Sequence, residues 1–579
     1  MKKTLVLICG VAICANVWAA VKYVSKTGND AVAYANNCAS SPWLTIQYGL
    51  NTIVAGDTLI VGPGDYHEYN TIKINNTIVR GPAEPSMAHV NLNLKFDTLN
   101  HVFGGSDSIK NAVQHGFNLN GKNNVVIKWF EITNIGSLAT SKAVFTFAND
   151  TNILISHNFI HEPNPSGTAK PASAIMYTNG TGFWNKNIII RHNSIWRFTG
   201  SAIPIMGDGW IVDSNNISHG VGWNTLTGVK YSSGDEDGIR LAGSNHVIQD
   251  NWLHDVTVTE ATGHIDAFQV FSVYTVTQWA KHITINHNFI NNFNDCFMAE
   301  DQGEQSYCAA NPAKCDSFGV KDTNFNYVYD ITFSNNVIAN QPAGSCWAID
   351  IAIYCDHFTI KNNLFTNAGS IAPIVCCNAT HVVYENNIIR STSGFGASIY
   401  NLTPKTGSIW NYNAYVPDFT WPTKIQGYDG NSLFGKDLLF LDSSTVLGPD
   451  ALPFTSDDGF QLTTLSPAIG AGYGGVNMGP YLNSVKPGVL PWQGTMSMFS
   501  QIRVTSNMAI EFYLPHSDQV AVQIFDLFGR EIATLVHGDL GAGWHSLLWN
   551  TKNLAAGCYA VKVRLGPNIY VKKIPVDRK

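Results

Sequence analysis

A short apolar run joined to an asparagine-bearing turn recurs through the middle of this chain, and it constrains the fold more than any other feature. Copies fall at 124–127, 152–158, 187–193, 246–251, 282–288, 330–336, 358–363 and 381–387, as in Asn152-Ile153-Leu154-Ile155-Ser156-His157-Asn158. Alternation of apolar and polar residues within each copy predicts a strand with one face in a core. Asparagine after the strand accepts left-handed backbone angles and bonds to neighbouring turns. A unit this short cannot bury its face alone, so the copies are predicted to stack as a solenoid, with their asparagines as scaffold.

At 579 residues the chain exceeds one compact core, and an elongated repeat accommodates that length. Charged residues make up only 13% and glycines number 50, which suits short strands and turns better than long helices. The net charge of -7 gives no basic footprint, so nucleic acid is excluded as a partner. Lys2 and Lys3, the apolar run to Val17, and the small residues Ala19 and Ala20 predict a secretory signal cleaved after Ala19. No segment is long and apolar enough for a transmembrane helix, so a soluble or surface-attached monomer is expected. Without Cys9 and Cys14 of the signal, nine of the eleven cysteines remain, so at least one is unpaired. Cys308 with Cys315 is the expected local pair, and Cys355 is expected to meet Cys376 or Cys377 across stacked coils.

Residues about 22 to 480 resemble the right-handed parallel β-helix proteins, the architecture of pectate lyases, alginate lyases and polygalacturonases. The resemblance is carried by the repeats and by the opening Tyr23-Val24-Ser25-Lys26-Thr27-Gly28-Asn29-Asp30, Pro42-Trp43-Leu44-Thr45-Ile46-Gln47 and Pro63-Gly64-Asp65-Tyr66. Ser466-Pro467-Ala468-Ile469-Gly470-Ala471-Gly472 and Asn477-Met478-Gly479-Pro480-Tyr481 are similar to the usual last coil. The expected fold is all-β: a signal peptide (1–19), a right-handed parallel β-helix (20–483), a Pro/Gly-bearing linker (484–496) and a small immunoglobulin-like β-sandwich (497–579). Gly541-Ala542-Gly543-Trp544-His545 and Leu554-Ala555-Ala556-Gly557-Cys558-Tyr559 make that last unit resemble the C-terminal sorting domain of type IX secretion. The resemblance implies delivery by outer-membrane secretion machinery to the cell surface or medium.

Titratable groups concentrate in the middle coils. Asp237, Asp266 and Asp295 each begin a strand-like segment, spaced 29 residues apart twice in succession. Coils of that length stack the three carboxylates about 4.8 Å apart. Like charges so close require a proton, a cation or a basic group among them. Ile239, Leu241, Phe268, Val270 and Phe297 share the inward parity, which turns Arg240, Gln269 and Met298 outward, and Asp350 between Ile349 and Ile351 continues that face. Asp235, Glu236, His264, Glu300 and Asp301 lie around it.

Two chemistries suit this cluster. In a lyase acting on a uronic-acid polymer, a cation held by Asp235, Asp237, Asp266 and Asp295 neutralises the substrate carboxylate, and Arg240 or His264 removes the C5 proton. Calcium suits such oxygen donors. In an inverting glycoside hydrolase, two carboxylates flank the glycosidic bond. Gly234-Asp235-Glu236-Asp237 followed by Gly263-His264 is similar to the polygalacturonase arrangement, but that family's Asn-Thr-Asp and Arg-Ile-Lys segments are not in place. Gln269 and Asp350 are expected to bind substrate, with Trp223 and Tyr231 stacking on sugar rings; Trp210, Trp252, Trp279 and Tyr307 lie near. Loops between Gly220 and Gly234 and between Gln302 and Asn326 are expected to wall the groove. A third possibility is a surface adhesin whose aspartates only cap turns and whose groove only binds glycan.

Overall fold

The computed structural model describes residues 19–66, 68, 70–82, 90–91, 116–133, 145–161, 175–177, 184–223, 230, 236–257, 265–272, 280–301, 308–316, 319–320, 328–340, 349–351, 355–366, 373–375, 380–390, 407–416, 430–481, 503–504, 509–514, 518–525, 530–540, 543–549, 551, 554, 557–565 and 568–576. The described residues from Val21 to Phe434 form a parallel β-helix of three faces. One coil shows the order: the strand Ile239–Ser244 on the third face bends into Val247–Gln249 on the first, turns at Asn251 into Trp252–Val256 on the second, and a loop leads to Asp266–Ser272 on the third face of the next coil. Every pairing between coils is in parallel register, from Val21–Val24 against Thr58–Val61 to Ile388–Arg390 against Ala414–Val416.

The core follows from the alternation. Val79, Ile127, Ile155, Ile190, Val212, Ile248, Ile285, Phe333, Ile360, Tyr384 and Trp410 are register partners on successive rungs, and each is buried. Behind this column runs the asparagine ladder: Asn158, Asn193, Asn215, Asn251, Asn288, Asn336, Asn363, Asn387 and Asn413. From Asn193 onward each side-chain oxygen accepts from the backbone N–H and the side-chain amide of the preceding asparagine, as Asn251 Oδ1 does from Asn215 at 3.0 and 2.9 Å. The Asn251 amide donates to Val212 and Gln249 carbonyls, both at 2.9 Å. The residue before the ladder is left-handed at His157, His192, Ser214, Asp250, His287, Asn335, Asn362, Asn386 and Tyr412, which turns the chain between faces.

The amino-terminal end of the solenoid is covered, and a later segment lies along its side. At the first coil the helix Ile46–Thr52 lays Ile46 and Leu50 on the core beside buried Trp43, and Asp30 accepts from the Leu44 and Thr45 N–H groups ahead of it. The last described rung is Leu433–Phe434 against Ala414–Tyr415. The segment from Leu438 to Met478 adds no further coil, contrary to the sequence expectation for 466–481. Leu438, Phe460, Leu462, Ala468 and Met478 form one cluster with Phe289, Val337, Leu364, Ile388 and Ala414 of the second face. Gly479 N–H donates to the Asn386 carbonyl at 2.7 Å, anchoring this strap to the side of the helix.

Asp518–Phe525 pairs antiparallel with Glu531–Leu540 and Gly557–Leu565, and the latter with Asn568–Val576. Ala509–Leu514 pairs antiparallel with Gly543–Leu548 in a second sheet. Ile510, Val522, Ile524, Trp549 and Val561 share a core of their own. Residues 1–18 of the expected signal and the whole of the expected linker, 484–496, lie outside the described residues.

Cys308 is disulfide-bonded. Cys355 is not, correcting its expected pairing with Cys376 or Cys377: its thiol points into the core, 1% exposed, with Sγ 3.6 Å from the Ala299 carbonyl oxygen. Cys38 and Cys296 are also thiols.

His246 is fully buried; its Nδ1 accepts from Trp210 N–H at 3.2 Å and its Nε2 donates to the Ala242 carbonyl at 3.1 Å, which fixes the neutral ring. Burial pushes it down to about 4. The unfolded chain takes up the proton near pH 6.5, so this contribution is complete above 6.5 and is lost as pH falls towards 4, roughly 3 kcal/mol in all. His246→Asn is expected to lose that acid-side slope, as urea unfolding of both proteins at pH 7 and pH 4.5 will measure.

Candidate functional site

The aspartates at the head of the third-face strands stack as their spacing predicted. Asp266 and Asp295 are register partners, and Asp237 lies one rung before them: Gly238 N–H donates to the Asp266 carbonyl at 2.8 Å, and Asp266 N–H to Asp237 Oδ1 at 3.1 Å. Coils approach closely here, because a Cβ on Gly238 would lie 2.6 Å from the Ala267 carbonyl oxygen. The outward column is also in register, Pro204–Arg240–Gln269–Met298–Asp350.

Burial is the difference. Asp237, Asp266 and Asp295 share the parity of Ile239, Phe268 and Phe297 and are 0%, 1% and 4% exposed, with Glu236 also fully buried. Repulsion within the stack is relieved by local donors. Arg240 donates to Asp237 Oδ2 at 2.6 Å, and Ser201 adds a hydroxyl bond at 3.3 Å. Asp266 Oδ2 accepts from Gln269 Nε2 at 3.1 Å, and Asp295 Oδ2 from Asn294 Nδ2 at 2.8 Å. Burial first, then the charges of Asp266 and Asp295, push the Cys296 thiol well above its ordinary value, so it is inert as a nucleophile.

Arg240 keeps a quarter of its side chain in solvent. Gln269 was expected to stand outward; it folds back on Asp266 and Met298 and is 6% exposed, and its Oε1 has no hydrogen-bond partner among the described residues. Asp350 is placed by its backbone register with Met298. Trp223 is half-buried at the base of a loop, bridged to Lys230. Trp210 belongs to the core, edge-on to Phe147, and Trp252 stacks on His254 with its centroid 4.0 Å away. Asp235, Tyr231, His264, Trp279 and Tyr307 lie outside the described residues, as do most of both expected wall loops.

The three described carboxylates supply oxygen donors of the kind calcium takes, but each already has its own donor and their oxygens do not converge. Among the described residues the one group of three donor atoms within 4.8 Å of one another is Asp356, His357 and His381, outside the expected aspartate cluster. Asp237, Asp266 and Asp295 alone therefore do not make a calcium cage.

No protein-family model matches this chain, and no curated protein sequence matches it. Among solved structures it is similar to a rhamnogalacturonan lyase at 12% identity and TM-score 0.43, over 77% of this chain and 97% of that one. It is similar to a pectate lyase at 13% and 0.35, over 80% and 96%, and to an alginate lyase from a Paenibacillus species at 11% and 0.35, over 54% and 90%. These likenesses concern coil architecture, and no residue's role passes across them. Among the described residues no helix is long and apolar enough to cross a membrane.

Proposed function

We propose that this protein is an exported enzyme that degrades an acidic polysaccharide, cleaving it by β-elimination beside the column of Arg240, Gln269 and Asp350. One observation carries the proposal: at the surface of one face stands a guanidinium, a quarter exposed and braced by a buried carboxylate. Such a group suits a uronate carboxylate, and Gln269 on the adjacent rung lies beside it. Arg240, paired with Asp237, stays a cation; it is better fitted to neutralise the substrate carboxylate and so acidify the C5 proton than to remove that proton. His264, two residues before Asp266, is the base in this scheme: the C5 proton passes to its imidazole, the electron pair left behind forms the C4=C5 double bond, and the C4–O bond breaks, its oxygen leaving with the bonding pair and taking a proton from water. Trp223 and Tyr231 would stack on flanking sugars. Calcium at Asp235, Asp237, Asp266 and Asp295 is part of the proposal only as a variable of the assay, with no step routed through it. Export by the signal and delivery by the C-terminal unit, acting as a sorting domain, belong to the same proposal.

The test is incubation of mature protein with pectins, alginates and glycosaminoglycans, with calcium and then chelator, following the ultraviolet absorbance of unsaturated product. Rising absorbance is expected with a uronic-acid polymer, and Asp266→Ala is expected to abolish it while far-ultraviolet circular dichroism stays unchanged. Reducing ends without absorbance would replace elimination with hydrolysis. Burial of all three aspartates favours a second reading, a glycan-binding surface protein; binding with no product of either kind would establish it.

A further inference from the structure

On the first face, away from the column of Arg240, three donor side chains converge across two rungs. Asp356 and Thr380 are bridge partners in parallel register, which places His357 and His381 one above the other. Both histidines take left-handed backbone angles, φ 56° and 50°, and their rings stack 4.5 Å apart at 24°. Each turns Nδ1 to a different oxygen of one carboxylate: His357 to Asp356 Oδ2 and His381 to Oδ1, both at 2.8 Å. The next rung carries Gly407, and a Cβ there would lie 2.2 Å from His381 Cδ2, so the His381 ring occupies space that only a glycine leaves.

We propose that Asp356, His357 and His381 form a surface site for a divalent ion of borderline softness, Zn2+ in the first place, that clamps two adjacent rungs. Two imidazoles and one carboxylate are a donor set for zinc and its transition-metal neighbours, whereas calcium takes six to eight oxygens. The donor atoms already lie within 4.8 Å of one another. The register and the Thr380 hydroxyl, which donates to Asp356 Oδ1, hold the carboxylate in place before any ion arrives. Both rings are 45% exposed, so an ion reaches them from solvent and each Nδ1 proton can pass to Nε2 as the metal takes its place. Water completes the coordination. The site is independent of the proposed enzymatic activity.

The test is calorimetric titration of mature protein with zinc chloride, alongside His381→Asn, Asp356→Asn and the control His282→Asn. Asparagine tolerates the left-handed backbone at 381, so the first variant preserves the fold. The control removes the imidazole that pairs with Asp330 at 2.7 Å on neighbouring rungs. The expected result is one saturable site, weakened roughly 10–100-fold or more in His381→Asn and Asp356→Asn and unchanged in His282→Asn. Zinc should also raise the melting temperature of the parent and not of His381→Asn. Equal affinity in parent and His381→Asn, or no saturable site in the parent, would overturn the proposal.

Discussion

Arg240→Met is expected to abolish formation of unsaturated product, a loss on the order of 1,000-fold if Arg240 stabilises the charge that develops on the substrate. The same substitution is expected to lower stability by about 3 kcal/mol, because Asp237, fully buried, loses the guanidinium 2.6 Å away. The double variant Asp237→Ser/Arg240→Met removes both charges and should regain much of that stability while remaining inactive. Urea unfolding and the absorbance assay on the three proteins separate the two effects. Full turnover by Arg240→Met would make the pair a piece of scaffold and move the protein towards the glycan-binding reading.

Asn251→Ala carries the largest expected effect on stability. It removes the oxygen that accepts two hydrogen bonds from Asn215 and the amide that donates to Val212, Gln249 and Asn288. Buried donors and acceptors on both neighbouring rungs lose their partners, and at about 1–3 kcal/mol for each group left unsatisfied the loss should exceed roughly 3 kcal/mol. Aspartate at the same position should do little better, since it keeps the acceptor but places a charge in a column of amides. Exposed Asn245 is the contrast: it takes left-handed backbone angles and donates to Asp208 at 2.6 Å, so Asn245→Gly keeps the backbone and should cost no more than about 1 kcal/mol. A far larger fall in melting temperature for Asn251→Ala checks the ladder's share of the stability.

The ladder also shows what could be read from sequence alone. Seven of its nine members close repeats visible by eye, whereas Asn215 and Asn413 follow shorter apolar runs, Ile211–Asp213 and Ile409–Asn411, that carry no matching signature. The repeat of 29 residues placed Asp266 opposite Asp295 and Arg240 opposite Gln269, and parity alone placed Asp350 opposite Met298 despite a much longer intervening stretch. Parity cannot report the depth at a corner, where a strand begins before its alternation is established. There the aspartates turn inward and Gln269 folds over them. His357 and His381 escaped notice because their coil differs in length from those of the aspartates, so no single period brings both sets into line. The strap was hidden for another reason: its apolar residues follow no strand period, and nothing local tells them to lie beside the coils.

A solenoid joined only rung to rung unravels like a stack of coins, each loss independent of any far neighbour. The strap changes that for one half of this molecule. By lying across Phe289, Val337, Leu364, Ile388 and Ala414 it ties five rungs to a single length of chain, so none can peel away without releasing the rest. Rungs bearing Ile132, Ile160 and Ile195 contribute nothing to that cluster. Amide exchange and limited proteolysis should therefore find a graded, fraying half towards the amino end and an all-or-none half towards the carboxyl end, with the middle coils of Asp237 and Asp266 at the boundary between them.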